Sequence, residues 1–221
     1  MGLVSQCDWI LYSKEKLKKL SILYQFGGRK FLEQISREFL KESLGEFKDY
    51  EWIELDCTNL TIGAGYNHLV EQVKTEYVMN CLDDFGFFPY KHGDKTGDWV
   101  KMGMTILDKR RDIGVINLRK ENDREELDKI IGHEEVDGVP FYLIEAFNNR
   151  GWNINPSMMR TEDLKKIVPL DESDQTGNVA EAGGWDKWKE LGLKVAKLDI
   201  PYKGVCFHLG WNRSRYFGYT K

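Results

Sequence analysis

The chain contains no uninterrupted apolar run approaching the roughly 18 residues that a membrane-spanning helix requires. Its opening residues also lack the succession of basic, apolar and small residues that marks a secretory signal. Both absences lead to the expectation of a cytoplasmic protein, or of a soluble piece of something larger. No linker rich in proline, serine or glycine interrupts the chain, and no internal repeat or low-complexity tract occurs, so a single domain over residues 1–221 is expected. Cysteine is scarce. The four present, Cys7, Cys57, Cys81 and Cys206, are widely spaced and form no C-x-x-C pair, which argues against a zinc site. They read as small buried hydrophobes in a reducing compartment. An excess of basic residues is missing too: net charge is −4 and the isoelectric point is near 5.7. That balance counts against a strong nucleic-acid binder, and the basic clusters Lys14–Lys19 and Lys109–Arg111 read as solvated helix faces. Finally, no G-x-G-x-x-G follows the first strand-like run, which disfavours a dinucleotide-dependent dehydrogenase.

What is present describes a soluble globular protein, with 41% hydrophobic and 31% charged residues. Residues 20–26 form a short apolar run that ends in Gly27–Gly28, as a strand followed by a tight turn would. From Arg29 to Phe47 the apolar positions Phe31, Leu32, Ile35, Phe39, Leu40 and Leu44 recur at helical spacing. A second strand is expected over Tyr50–Cys57, a helix over Gly63–Val73 and a third strand over Thr75–Leu82. Further along, the pattern predicts a helix over Trp99–Lys109 and strands over Ile113–Leu118, Val139–Ala146 and Lys194–Leu198. Helices are predicted within Ser157–Ile167, with Thr161 as its cap, and over Trp185–Leu191. Residues 119–138 are charged and read as an exposed excursion, and Pro140 suits an edge strand or a strand start.

Strand, helix, strand, helix, strand implies parallel strands in an α/β domain with a Rossmann-like, mainly parallel sheet flanked by helices. Ligands of such sheets sit beyond the carboxyl ends of the strands. The polar residues ending the first three strands, Gln25, Asp56 and Asp83–Asp84, should therefore gather along one rim. Two adjacent carboxylates at a strand end suit Mg²⁺ or Mn²⁺, hard cations that complete their shells with water and substrate phosphates. Such an ion stabilises the charge that develops on a departing nucleoside diphosphate. Taken alone, Asp83–Asp84 could equally be a solvated turn.

The stretch from Asn59 through Gly63, Gly65 and Asn67, then Glu76–Leu82 and Asp83–Asp84, resembles the nucleotide-sugar half of GT-A fold glycosyltransferases. More narrowly, it is similar to the large inverting family that includes many bacterial and viral sugar transferases, and the likeness extends more loosely over residues 20–210. The resemblance implies a nucleotide-sugar-binding half over residues 1–118 and an acceptor-side half over 119–221. It matches Asp83 and Asp84 to the acidic motif, Asp56 to a strand-end acid contacting the nucleoside, and Asn67 to an asparagine that is structural or near the donor. Phe85 stands where a further aspartate commonly lies, so the strict Asp-x-Asp is absent. The same likeness makes His208 a third metal ligand beside Asp83 and Asp84, although a lone histidine is as often a satisfied core residue.

Inverting transfer requires a base near the acceptor hydroxyl. The segment from Glu181 to Trp188 resembles the family's acidic acceptor-side loop, with Glu181 the first candidate and Asp186 the second. Asp186 also fits a helix-entry acid. Trp185 and Trp188 could stack on a sugar or belong to the core, and Asn153 and Asn155 could line the acceptor side. Gln25, Arg29 and Arg213 are expected around the donor, because guanidinium groups pair bidentately with phosphate oxygens; Arg215 is a further candidate of that kind. The donor implied is a UDP- or GDP-sugar, with Mn²⁺ or Mg²⁺ as cofactor and an unidentified acceptor. A nucleotidyltransferase stands as the alternative enzyme, since Gly27-Gly28-Arg29 is a short imitation of its phosphate loop. A non-catalytic nucleotide-sugar-binding module is the third reading.

Overall fold

A computed structural model describes residues 19–92, 95–119, 129–145, 152–173 and 178–209. Three strands open the fold: β1 (Leu20–Phe26), β2 (Tyr50–Asp56) and β3 (Tyr77–Leu82). They pair in parallel, with β1 between the other two. The connecting helices are α1 (Lys30–Leu44) and α2 (Ile62–Glu71). Every residue of β1 except Phe26 is buried, as expected of a strand covered on both faces. Thr61 accepts a hydrogen bond from the Ala64 N–H and so caps α2 through its side chain.

After β3 the chain turns through Asp83–Asp84 into a short strand, β4 (Phe85–Phe87). Next come a small pair, β5 (Lys91–His92) and β6 (Lys95–Thr96), then α3 (Asp98–Lys109) and β7 (Ile113–Asn117). The remaining elements are β8 (Lys129–Val136), β9 (Val139–Glu145), β10 (Ser157–Arg160), α4 (Thr161–Ile167), α5 (Asn178–Leu191), β11 (Lys194–Leu198) and β12 (Cys206–His208). Eight strands form one sheet in the order β2-β1-β3-β10-β7-β11-β9-β8. Leu40, Leu44, Trp99 and Ile106 from α1 and α3 pack on one face with Ile22, Tyr24 and Met79. Tyr66, Leu69, Leu164 and Trp188 from α2, α4 and α5 pack on the other with Leu23, Val78 and Val115. Each fully buried side chain of this kind contributes about 1.5–3 kcal/mol. Among the described residues no helix is long and apolar enough to cross a membrane.

Two segments depart from expectation. Residues 157–160 form a strand ahead of the expected helix, where no strand was read, and all four are buried. This strand lies antiparallel between β3 and β7. Arg160 is only 5% exposed, and its guanidinium donates to the carbonyls of Leu107 and Ile113 while Asp163 balances its charge. The helix after it begins at Thr161, but the Thr161 hydroxyl is buried without a partner among the described residues, so the expected side-chain cap does not form. The other departure lies within 119–138, where residues 129–136 form the edge strand of the sheet. That strand is the first arm of a hairpin whose turn, Asp137–Gly138, has positive φ at both positions. Pro140 therefore stands at the start of an inner strand, β9, between β11 and β8.

Candidate functional site

The carboxyl ends of β1, β2 and β3 are joined by backbone hydrogen bonds. The Cys57 N–H donates to the Phe26 carbonyl at 2.7 Å, and the Asp83 N–H to the Gln25 carbonyl at 3.1 Å. Asp56, Gly27–Arg29 and Asp83–Asp84 consequently share one rim. The small strand β4 leaving that rim pairs antiparallel with β12, placing His208 opposite Phe85. The Leu209 N–H donates to the Asp84 carbonyl at 2.6 Å, and the His208 Nε2 lies 3.3 Å from the Asp84 Oδ2. A strand late in the chain thus delivers a histidine to a carboxylate at the end of β3. The Phe85 ring, fully buried, meets the His208 ring edge-on at 4.9 Å between centroids. Phe85 is a packing platform here, which gives a physical reason for an aromatic at a position where a further aspartate was expected.

Arg29 spans both carboxylates. Its Nε donates to the Asp83 Oδ2 at 3.3 Å and a terminal nitrogen pairs with the other Asp83 oxygen. The second terminal nitrogen donates to the Asp84 Oδ2 at 3.1 Å. The Gly27 N–H adds a further bond to Asp83, at 3.1 Å. Asp83 is 1% exposed, while the Arg29 side chain remains 46% exposed. Burial is the largest influence on Asp83 and raises its pKa, more than Arg29 and the Gly27 N–H lower it. Burial also acts upward on Asp84, but the His208 hydrogen bond and the Arg29 charge together hold that carboxyl below its usual range. Neighbouring carboxylates in one turn are therefore shifted in opposite directions.

The expected metal set of Asp83, Asp84 and His208 is not assembled as three converging ligands. Both Asp83 oxygens are taken by Arg29 and Gly27, and among the described residues no group of three or more such donors is placed to hold a metal. Asp84 and His208 do fit a divalent cation. The Asp84 Oδ1 is buried with no hydrogen-bond partner among the described residues, and carboxylate with imidazole suits Mn²⁺ or Mg²⁺ if phosphate oxygens and water supply the rest.

Other candidates fall elsewhere. Asp56 is exposed at the end of β2, where its Oδ1 accepts from the Thr58 N–H at 2.9 Å; hydrogen bonds from Thr58 lower its pKa. Gln25 is 5% exposed, with its amide turned inward to the Ile62 carbonyl, so it braces β1 against α2 and does not face the rim. Beside it, a Cβ on Gly65 would stand 2.5 Å from the Cys57 sulfur, a close approach that only glycine permits. Asn67 is also buried. Its amide clamps the Leu170 backbone, donating to the carbonyl at 3.0 Å and accepting from the N–H at 2.8 Å, and it donates to Glu172 at 2.8 Å. It is a structural strut, not a donor contact.

On the acceptor side, α5 begins at Asn178, earlier than expected, so Glu181 lies in its first turn and Asp186 in its middle. The Glu181 Oε1 accepts from the Ile154 N–H at 3.1 Å. That bond ties the carboxylate to the segment entering β10 at the rim. Asp186 is exposed and paired with Lys189 at 3.3 Å on the outer face of the helix, so the helix-entry reading fails for it. Trp188 is 3% exposed and belongs to the core; Trp185 is half-buried against the same cluster. The Asn155 N–H donates to the Asn153 side chain at 3.0 Å, which shapes the approach to Ser157. Gly184 allows α5 to sit on the buried Trp152, whose ring carbons would come within 2.2 Å of a Cβ there. Arg213 and Arg215 lie outside the described residues, as does Cys7.

Sequence reasoning missed Arg119. It follows β7 directly, its guanidinium carbon stands 5.6 Å from the Phe85 ring centroid, and it bridges to Cys206. This brings a second guanidinium to the Asp84–His208 corner. A cleft of about 530 Å³ opens elsewhere, at the amino end of β3, lined by Tyr77, Asp108, Arg111, Glu162 and Lys165 among others. It contains none of the rim residues.

No family model matches the chain, and no curated protein matches it by sequence. Solved structures do match. Residues 1–349 of TarS from S. aureus, in complex with UDP-GlcNAc, align with a TM-score of 0.57 and 13% identity over 86% of this chain and 58% of that one. The catalytic domain of Drosophila β1,4-galactosyltransferase 7 with xylobiose aligns at 0.53, with 12% identity over 90% and 73%. A mutant of the latter, in complex with manganese, UDP-Gal and xylobiose, aligns at 0.51, with 12% identity over 92% and 76%. The chain has the GT-A glycosyltransferase fold, and it spans a little under three fifths of the length of the TarS chain that it matches.

Proposed function

We propose that this chain transfers a sugar from a nucleoside-diphosphate sugar, UDP-linked or GDP-linked, to an acceptor hydroxyl. The observation that carries the reading is the rim constellation, in which Arg29, Asp83, Asp84 and His208 meet beyond the carboxyl ends of β1 and β3. In a mainly parallel sheet that is where a nucleotide ligand docks. The neighbours in fold were solved with UDP-GlcNAc and with UDP-Gal and manganese, which supports the same donor class. In this reading Asp56, exposed at the end of β2, receives the nucleoside. Asp84 and His208 would hold Mn²⁺ or Mg²⁺, which would supply positive charge to offset the negative charge developing on the diphosphate. Arg29 and Arg119 add their charges to the same side. Glu181 takes the proton from the acceptor hydroxyl as that oxygen attacks the anomeric carbon and the bond to the diphosphate breaks, which inverts the configuration.

The test is a thermal-shift series with UDP, GDP and their sugars, with and without Mn²⁺, on wild type and Asp84→Asn. A ligand at a hundred times its dissociation constant adds about 2.7 kcal/mol, which for a chain of this size raises the melting temperature by ~5–10 °C. The expected outcome is a shift with one nucleotide that requires Mn²⁺ and is absent in the variant. A chain that gives no shift with any nucleotide is not a donor-binding protein.

A further inference from the structure

Arg29 contacts three of the four carboxylate oxygens of Asp83 and Asp84, leaving only the Asp84 Oδ1 without a partner among the described residues. The Asp84 Oδ2 is shared, with the Arg29 guanidinium at 3.1 Å and the His208 Nε2 at 3.3 Å. A divalent ion held by Asp84 and His208 would therefore sit close to the Arg29 charge, and two cations on one carboxylate repel each other strongly away from bulk water. Without the guanidinium, the two adjacent carboxylates, with side chains 2% and 14% exposed, would repel each other instead.

The mounting of Arg29 suits movement. It follows Gly27–Gly28, with Gly28 at φ 71°, and immediately precedes α1, where it makes no side-chain cap. Nearly half of its side chain is exposed, so it can swing away without opening the core. Under the proposed function the diphosphate of a donor would lie along the same rim. A guanidinium leaving a carboxylate has a matching partner in a phosphate, since both are recognised by the same planar fork.

We propose that Arg29 is a resident counter-cation which exchanges partners: it neutralises Asp83–Asp84 in the empty site and clamps the donor diphosphate when a divalent cation takes Asp84. This rests on the donor-site reading above and adds a coupling to it. Binding of the cation releases the guanidinium that the diphosphate needs, and binding of the diphosphate draws away the guanidinium that obstructs the cation. Each ligand strengthens the other through one side chain, by the same factor in both directions.

The experiment measures Mn²⁺ binding from the electron paramagnetic resonance signal of the free ion, with and without UDP. It compares wild type, Arg29→Gln, Arg29→Lys and Asp84→Asn, after thermal unfolding has shown that each is folded. In the absence of UDP, Arg29→Gln should bind Mn²⁺ about tenfold more tightly than wild type, because the competing charge is gone. The UDP-dependent gain in Mn²⁺ affinity, about 5–150-fold for a coupling of ordinary size, should shrink in Arg29→Gln by at least that tenfold factor or to nothing. Arg29→Lys keeps the charge but not the fork, and should fall between the two; it carries the test if the glutamine variant does not fold. Equal or weaker Mn²⁺ binding in the folded Arg29 variants, with binding abolished in Asp84→Asn, overturns the exchange and leaves the metal site standing. If wild type binds neither Mn²⁺ nor UDP, separately or together, the donor-site reading falls and the exchange falls with it.

Discussion

Replacing Asn67 by alanine separates a strut from a ligand contact. The resemblance to sugar transferases leaves this asparagine either structural or near the donor, and its amide is committed to the Leu170 backbone and to Glu172. Leu170 is itself 4% exposed, so the N–H and carbonyl left behind in Asn67→Ala would have little access to water. An unsatisfied buried group costs about 1–3 kcal/mol, and two of them with partial relaxation suggest a loss of about 3 kcal/mol in all. For a chain of this length that lowers the melting temperature by ~6–12 °C. Urea unfolding and a UDP titration in Mn²⁺, on the same protein at a temperature where both variants are folded, provide the two readouts. The expected pair is a large loss of stability with UDP affinity within about twofold of wild type. A variant that keeps its stability but loses UDP binding by tenfold or more would refute the strut and restore Asn67 to the donor site.

Two further outcomes follow from the site. Glu181→Gln should reduce sugar transfer by about 10²–10⁴-fold while leaving UDP binding intact, whereas Asp186→Asn on the outer helix face should stay near wild type; turnover assays that rank them the other way would transfer the base role to Asp186. The pH dependence has a defined sign. Asp84 has a lowered folded pKa, so its stabilising contribution is complete above the unfolded carboxylate range and is lost as pH falls through the folded value. The raised value of Asp83 works oppositely, favouring the folded chain as that carboxyl protonates. The stability gap between wild type and Asp84→Asn should therefore narrow as pH is lowered from about 5 to about 3, measured by chemical unfolding; a gap that widens over that range contradicts the assignment.

How legible the fold was depended on how much of each element is buried. β1 and β3 announce themselves as apolar runs because they lie inside the sheet and are buried along nearly their whole length, whereas β2, at the sheet edge, is only partly buried. The strand at 129–136 carries Lys129, His133, Glu134 and Glu135 because it is an edge open to water, so its composition imitates a loop. Its one clear signal was Asp137-Gly138, the dipeptide of a tight hairpin turn. The strand at 157–160 went unread because it is only four residues long and runs straight into the helix that Thr161, Glu162 and Asp163 signal. At the site, Asp56, Asp83 and Asp84 could be found from strand ends alone. Arg119 could not, because its approach to Phe85 depends on β7 lying two places from β3 across an inserted strand. Asn67 was left between a structural and a donor role for the opposite reason. The residue type suited a ligand site, and only the path of residues 170–172, a hundred positions later, showed what it holds.

That inserted strand also governs how the chain can be assembled and divided. The donor-side strands β3 and β7 are not bonded to each other; each is bonded to β10, whose four residues lie some forty positions beyond the end of β7. A nascent chain ending at residue 118 would carry two bare strand edges facing a gap, and its sheet could close only once 157–160 arrived to fill it. Such late, long-range closure slows folding and leaves sticky edges exposed in the interval. The boundary drawn from resemblance at 118 is thus not a place to cut. A fragment carrying only the donor half should aggregate unless the strand that locks the sheet is supplied, either in the same chain or as a peptide.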